Sequence, residues 1–175
     1  DLTTNGGSVR VDAGSDVVVS GRVSANGSSG GQITLAAPEV SVLGATLQAM
    51  GQGAQAGDGG TIRIGGGYQG NDADIVNAQR TRVIDSTVDV SALHNGNAGT
   101  AIVWSEQQTL FNSTVNAKGG AQGGNGGLVE VSSHDQLSFA GRVNASAPKG
   151  ASGRLLLDPS DITISSNSKI GRAHV

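Results

Sequence analysis

The sequence predicts an all-β chain wound as a parallel β-helix of about six coils, with little or no α-helix. Three observations carry this prediction. A Gly-anchored strand recurs six times, each copy alternates apolar and mostly polar side chains, and the copies are separated by turn clusters rich in Gly and Asn.

The anchored strand first occurs as Gly6-Gly7-Ser8-Val9-Arg10-Val11 and returns as Gly30-Gly31-Gln32-Ile33-Thr34-Leu35 and Gly59-Gly60-Thr61-Ile62-Arg63-Ile64. Three more follow: Ala98 to Val103, Gly126 to Val131 and Ser152 to Leu157. The second anchor positions (7, 31, 60, 99, 127 and 153) are 24, 29, 39, 28 and 26 residues apart. Alternation with period 2 is the mark of a strand buried on one face, and here the inward face is aliphatic.

A companion strand follows each anchor. Val17 to Ala25 and Leu137 to Ala145 match closely; Thr109 to Ala117 and Arg82 to Val90 fit the same nine-residue frame. Val40 to Ala49 fits with one extra residue, which predicts a bulge. In this frame Val23, Leu47, Val88, Val115 and Val143 form one inward column. Ala25, Ala49, Val90, Ala117 and Ala145 form a second, narrower one. Phe111 and Phe139 fall at one site in consecutive repeats, where their rings are expected to stack.

Turn clusters such as Ala25 to Ser29 and Lys118 to Asn125 are read as places where Gly supplies positive φ angles and Asn tolerates them. No window has a 3.6-residue apolar period, and Gly in a helix interior costs roughly 1 kcal/mol per residue. About three short strands per repeat, stacked at roughly 4.8 Å per coil, give a rod of roughly 25 to 30 Å. The rival, an antiparallel sandwich, calls for tight hairpins between successive strands, whereas the unit that recurs here is a whole multi-strand coil.

Composition narrows the function classes. Of 175 residues, 29 are Gly, 14% are charged and 2% are aromatic, a poor basis for a conventional globular enzyme core. Net charge is −3 with Lys and Arg scattered, which argues against a nucleic-acid partner. No apolar run approaches the roughly 20 residues of a membrane-spanning helix. With no Cys, disulfides and thiolate metal sites are excluded. The chain reads as an excerpt: a single β-helical segment over residues 1–165 and a polar tail over residues 166–175 that departs from the coil pattern. Unpaired strand edges at both ends predict end-to-end association.

No residue set declares a reaction. His94, His134 and His174 lie outside recognisable catalytic or metal motifs and are read as solvated surface groups. Asp72, Asp74, Asp85 and Asp89 are the candidate carboxylates for a polysaccharide-cleaving β-helix. Asp85 and Asp89 flank inward Val88, share a face if the strand is regular, and read as solvated outward groups. Calcium-binding rolls need Asp at a fixed place after paired glycines, but Asp58 is replaced at the equivalent sites by Ser29, Asn97, Asn125 and Ala151 or Ser152. The outward ranks of the anchor strands, Arg10, Thr34, Arg63, Ile102, Glu130 and Leu156, are too irregular for an ice-binding face. No cofactor is expected. The candidate contact surface is the excursion from Gly65 to about Arg80, which the coil does not need. It offers Tyr68, Gln69, Asn71, Asp72 and Asp74, with Trp104 either outward or packed under the excursion.

Several strings are more specific. Ile62 to Gly70, Asn77 to Thr81, Ile102 to Ser105, Gly119 to Gly127 and Leu155 to Ile164, in this order, resemble the repeat region of filamentous haemagglutinin-like exoproteins, the adhesins of two-partner secretion. The resemblance covers roughly residues 6 to 165. It implies a right-handed parallel β-helical shaft, secreted or held at the Gram-negative cell surface and exported by an outer-membrane transporter. It further implies a role in adhesion, aggregation or biofilm formation. The partners so implied are a host receptor, a polysaccharide or a sister adhesin. A carbohydrate-active β-helix enzyme, and a module that captures a host or haem-carrying protein, are the alternatives.

Overall fold

A computed structural model of the protein describes residues 1–55 and 57–164; the tail expected at 166–175 lies outside the described residues. The six anchored strands are Ser8–Asp12, Gln32–Ala36, Thr61–Ile64, Thr100–Val103, Leu128–Val131 and Arg154–Leu156. They form one all-parallel sheet in chain order. Val9, Ile33, Ile62, Ala101, Val129 and Leu155 stand in register across it. The companion strands form a second all-parallel sheet of ten strands, from Leu2–Thr3 to Asp161–Ile164. The chain is a parallel β-helix of six to seven coils, and among the described residues its only helical element is a three-residue 3-10 turn at Tyr68–Gly70.

Between the sheets, the predicted columns are the core. Val23, Leu47, Val88, Val115 and Val143 are cross-strand partners in succession, and all but Val143 are buried. Two residues on, Ala25, Ala49, Val90 and Ala117 have no exposed surface. Phe111 and Phe139 stack with ring centroids 5.4 Å apart and planes 8° from parallel. Burying each larger aliphatic side chain contributes on the order of 1.5 to 3 kcal/mol, which offsets the entropy of ordering so glycine-rich a chain.

The three strands expected per coil resolve into one anchor strand and one companion run. That run is broken in some coils, as at Glu39–Leu43 and Thr46–Gln48, and continuous in others, as at Arg80–Asp89 and Gln108–Asn116. The extra residue predicted near Val40 is present, but the next coil carries one too: Arg82 lies opposite Leu110 rather than Thr109, and register shifts between Asn112 and Thr114. Gly44 (φ 59°) and Asp85 (φ 49°) sit at the break in the left-handed region, so the strand is not regular between Asp85 and Asp89. Buried hydroxyls repair the interrupted ladder. Ala45 N–H donates to Ser86 Oγ at 3.0 Å, and Ser86 N–H to Ser113 Oγ at 3.0 Å.

The anchor glycines do a different job from the one expected of turn glycines. Among the described glycines positive φ is found at Gly6, Gly44, Gly65, Gly70 and Gly124, none of them a second anchor. What the anchors need is space. The N–H groups of Gly31, Gly60, Gly99, Gly127 and Gly153 donate to the carbonyls of Ala25, Ala49, Val90, Ala117 and Ala145 over 2.7 to 2.9 Å, closing each coil onto its own narrow column. The carbonyls of Gly31, Gly60, Gly99 and Gly127 meanwhile accept from the next coil, as Gly31 does from Thr61 N–H at 2.9 Å. A Cβ at Gly60 would run into the carbonyl of Gly31.

Two substitutions test this packing. Ala117→Arg should lower the melting temperature severely, because it forces a charge into a sealed apolar column; an unchanged melt would reverse the assigned faces. Gly60→Ala should cost about 1 to 3 kcal/mol or more in denaturant unfolding. Gly14→Ala, where a Cβ meets nothing within 4 Å, should stay within about 0.5 kcal/mol of the parent.

Candidate functional site

The excursion leaves the coil at Gly65 (φ 80°), where a Cβ would strike Thr81 Oγ1 and the Trp104 carbonyl. It returns at Ala78, whose N–H closes the neck on the Gly65 carbonyl at 2.6 Å. Between these points it lies as a strap along the outer face of the anchor sheet. Arg10 Nη2 donates to the Asp74 carbonyl at 2.7 Å, Arg63 lies 3.8 Å from Asp72, and the Gln69 N–H donates to the Glu130 carboxylate at 3.0 and 3.2 Å. Gln69 Nε2 reaches Asp158 at 3.5 Å. The irregular outward rank of the anchor strands is therefore not a solvent face: Thr34, Ile102 and Glu130 along it are buried.

Trp104 holds the strap from below. It is 6% exposed, and Gly66 and Gly70 press on its ring so closely that a Cβ at Gly70 would overlap the six-membered ring. Of the two placements expected of it, packing under the excursion is the one found, with the backbone of Gly66 and Gly70 against its ring. The other candidates do lie on the strap's surface. Tyr68 is 41% exposed, Gln69, Asn71 and Asp74 are exposed, and Asp72 is half-buried. Gln69 has φ 52° and is spent on anchoring, through its backbone to Glu130 and its side chain to Asp158.

Tyr68, Asn71 and Asp72 wall an open groove of about 480 Å³ against Arg63, Ile102 and Thr100 of the sheet. A smaller cleft of about 250 Å³ lies at the other side of the strap's tip, bounded by Gln69, Trp104, Glu130, His134 and Asp158. The sequence marks Glu130 only as an outward position and does not reveal its role. A lone Glu in a strand gives no sign of being covered by a segment some 60 residues earlier in the chain. Burial pushes its carboxyl above the usual carboxylate range, and Asp158 adds to the rise. The Gln69 N–H and the Ser132 hydroxyl, which favour the ionised form, oppose it.

The remaining candidates do not converge. His134 is exposed and paired with Asp135 at 2.8 Å, His94 is exposed in a turn, and His174 lies outside the described residues. Asp85 is exposed, while Asp89 accepts from Ser91 N–H at 2.9 Å and bonds Asn116 at 3.4 Å across the coils. The corner that a calcium-binding roll would use is a ladder of side chains serving the backbone. Asp58 Oδ1 accepts from Asn97 N–H at 2.7 Å, Asn97 Oδ1 from Asn125 N–H at 2.9 Å, and Asn125 Oδ1 from Ala151 N–H at 2.9 Å. Among the described residues no three His, Cys, Asp or Glu side chains are grouped to hold a metal ion, and no helix is long and apolar enough to cross a membrane. No protein-family model matches the chain, and no curated protein matches it.

The raised carboxyl gives a signed pH prediction. A Glu whose carboxyl is raised in the folded state binds protons more readily folded than unfolded. Its contribution is therefore most favourable below its unfolded pKa and is lost as pH rises through the folded one. Glu130→Gln keeps an acceptor for the Gln69 N–H without the charge. Its melting temperature should exceed the parent's at pH 8, with the gap closing toward pH 4. A gap that does not change with pH would show Glu130 to be as well solvated folded as unfolded.

Proposed function

We propose that the chain is a noncatalytic shaft segment of a secreted or cell-surface adhesin of Gram-negative bacteria, supporting adhesion, aggregation or biofilm formation. The observation that carries the reading is a lumen filled along the described coils by aliphatic ranks, with the strap groove as a shallow contact surface on its flank. A rod of stacked coils transmits position over distance, and the ordered strings shared with filamentous haemagglutinin-like exoproteins supply the biological setting. An outer-membrane transporter of the two-partner type is its export partner. At its destination it meets a host receptor, a polysaccharide or a sister adhesin. The shaft reading is favoured over a carbohydrate-cleaving one because the Glu130 carboxylate, with no exposed surface of its own, is taken up by the Gln69 N–H of the strap.

Bacteria displaying the parent exoprotein should aggregate or form biofilm less when residues 60–126, two whole coils between equivalent anchors, are excised. Loss of the partner transporter should abolish its display. The purified protein should release no new reducing ends from acidic polysaccharides. Measurable turnover there, or display that survives loss of the transporter, would overturn the proposal.

A further inference from the structure

We propose that the groove between the strap and the anchor sheet binds a neutral saccharide unit, with the ring of Tyr68 as its stacking platform. Its size, about 480 Å³, falls within the roughly 300 to 1,000 Å³ of small-molecule sites. One part of its lining is apolar: Ile102, Leu128 and the partly exposed ring of Tyr68. The other part is polar and has bonding capacity to spare. Thr61 and Thr100, direct partners on adjacent coils, present hydroxyls that make no hydrogen bond among the described residues, and the Asn71 amide makes none either. A pyranose ring has this same division, an apolar C–H face for an aromatic ring and hydroxyls at its edge for amide, hydroxyl and carboxylate groups.

The groove's charge and backbone exclude other occupants. Arg63 and Asp72 face each other at 3.8 Å and cancel, so an anionic sugar that gained the guanidinium would also meet the carboxylate. A nucleic acid finds one cation, already countered. An extended peptide finds no strand to join: Thr61–Ile64 is paired on both sides by Gln32–Ala36 and Thr100–Val103, and Thr100–Val103 on its far side by Leu128–Val131. The use of the groove in attachment rests on the adhesive reading; the binding itself does not.

Saturation-transfer NMR and calorimetry on the purified protein, with cellobiose, lactose and di-N-acetylchitobiose as neutral probes and digalacturonate as the charged one, test the proposal. At least one neutral disaccharide should bind, and Tyr68→Ala should weaken it by roughly tenfold with the melting temperature unchanged. Asn71→Ala, which removes an exposed amide, gives a second reading should Tyr68→Ala soften the strap. The proposal is overturned by no transfer to any neutral probe, by tighter binding of digalacturonate than of every neutral probe, or by binding that survives both variants. Any of these leaves the shaft reading intact, because that rests on display and aggregation by cells; sugar binding by a protein whose deletion leaves aggregation unchanged would refute the adhesive role alone.

Discussion

Successive coils of this protein are closed by one hydrogen bond, from the N–H of the second anchor glycine to the carbonyl of the Ala or Val that ends the preceding companion run. The bond brings two backbone segments together, while the anchor's carbonyl is used by the coil above. Three chain segments thus meet at a point where no side chain fits. Much else follows from that contact. The lumen must be narrow beside it, so Ala25, Ala49 and Ala117 recur there and the bulkier Val23, Leu47 and Val88 stand two residues away. Coils can differ in length by more than a dozen residues because the surplus is looped out between closures rather than threaded through them.

What sequence alone revealed is what this contact repeats. The paired glycines, the two columns and the Phe pair are strict in spacing because neighbouring coils share one register, and a slip of one residue would turn aliphatic side chains out to solvent. Other features escaped for physical reasons. The frame of Arg82 to Val90 looked regular because Val88 and Val90 keep the spacing of the two inward columns. The left-handed Asp85 and the hydroxyl bonds of Ser86 and Ser113 show where the added residue is absorbed. Anchor glycines were legible as markers but not as spacers, since crowding by another coil leaves no local signature.

The candidate site was legible only in part. A surplus of residues between Gly65 and Arg80 marked an excursion, and Tyr68, Asn71 and Asp72 do line a groove. The direction in which the excursion lies was not readable, because its fastenings are single atoms on distant coils: the Asp74 carbonyl for Arg10 and the Gln69 N–H for Glu130. Trp104 and Glu130 change meaning once that direction is known. One becomes the bed on which glycines rest, the other a shielded acid whose charge an amide and a hydroxyl favour.

A stack of coils joined only to nearest neighbours yields to traction one layer at a time, each rupture exposing the next. The strap changes this. Fastened near Arg10 at one end and near Glu130 and Asp158 at the other, it runs across layers like a batten nailed over planks. A force that pries apart any layer beneath it must also stretch the batten, so those layers share the load and fail together, giving the rod a stiffened section between more yielding ones.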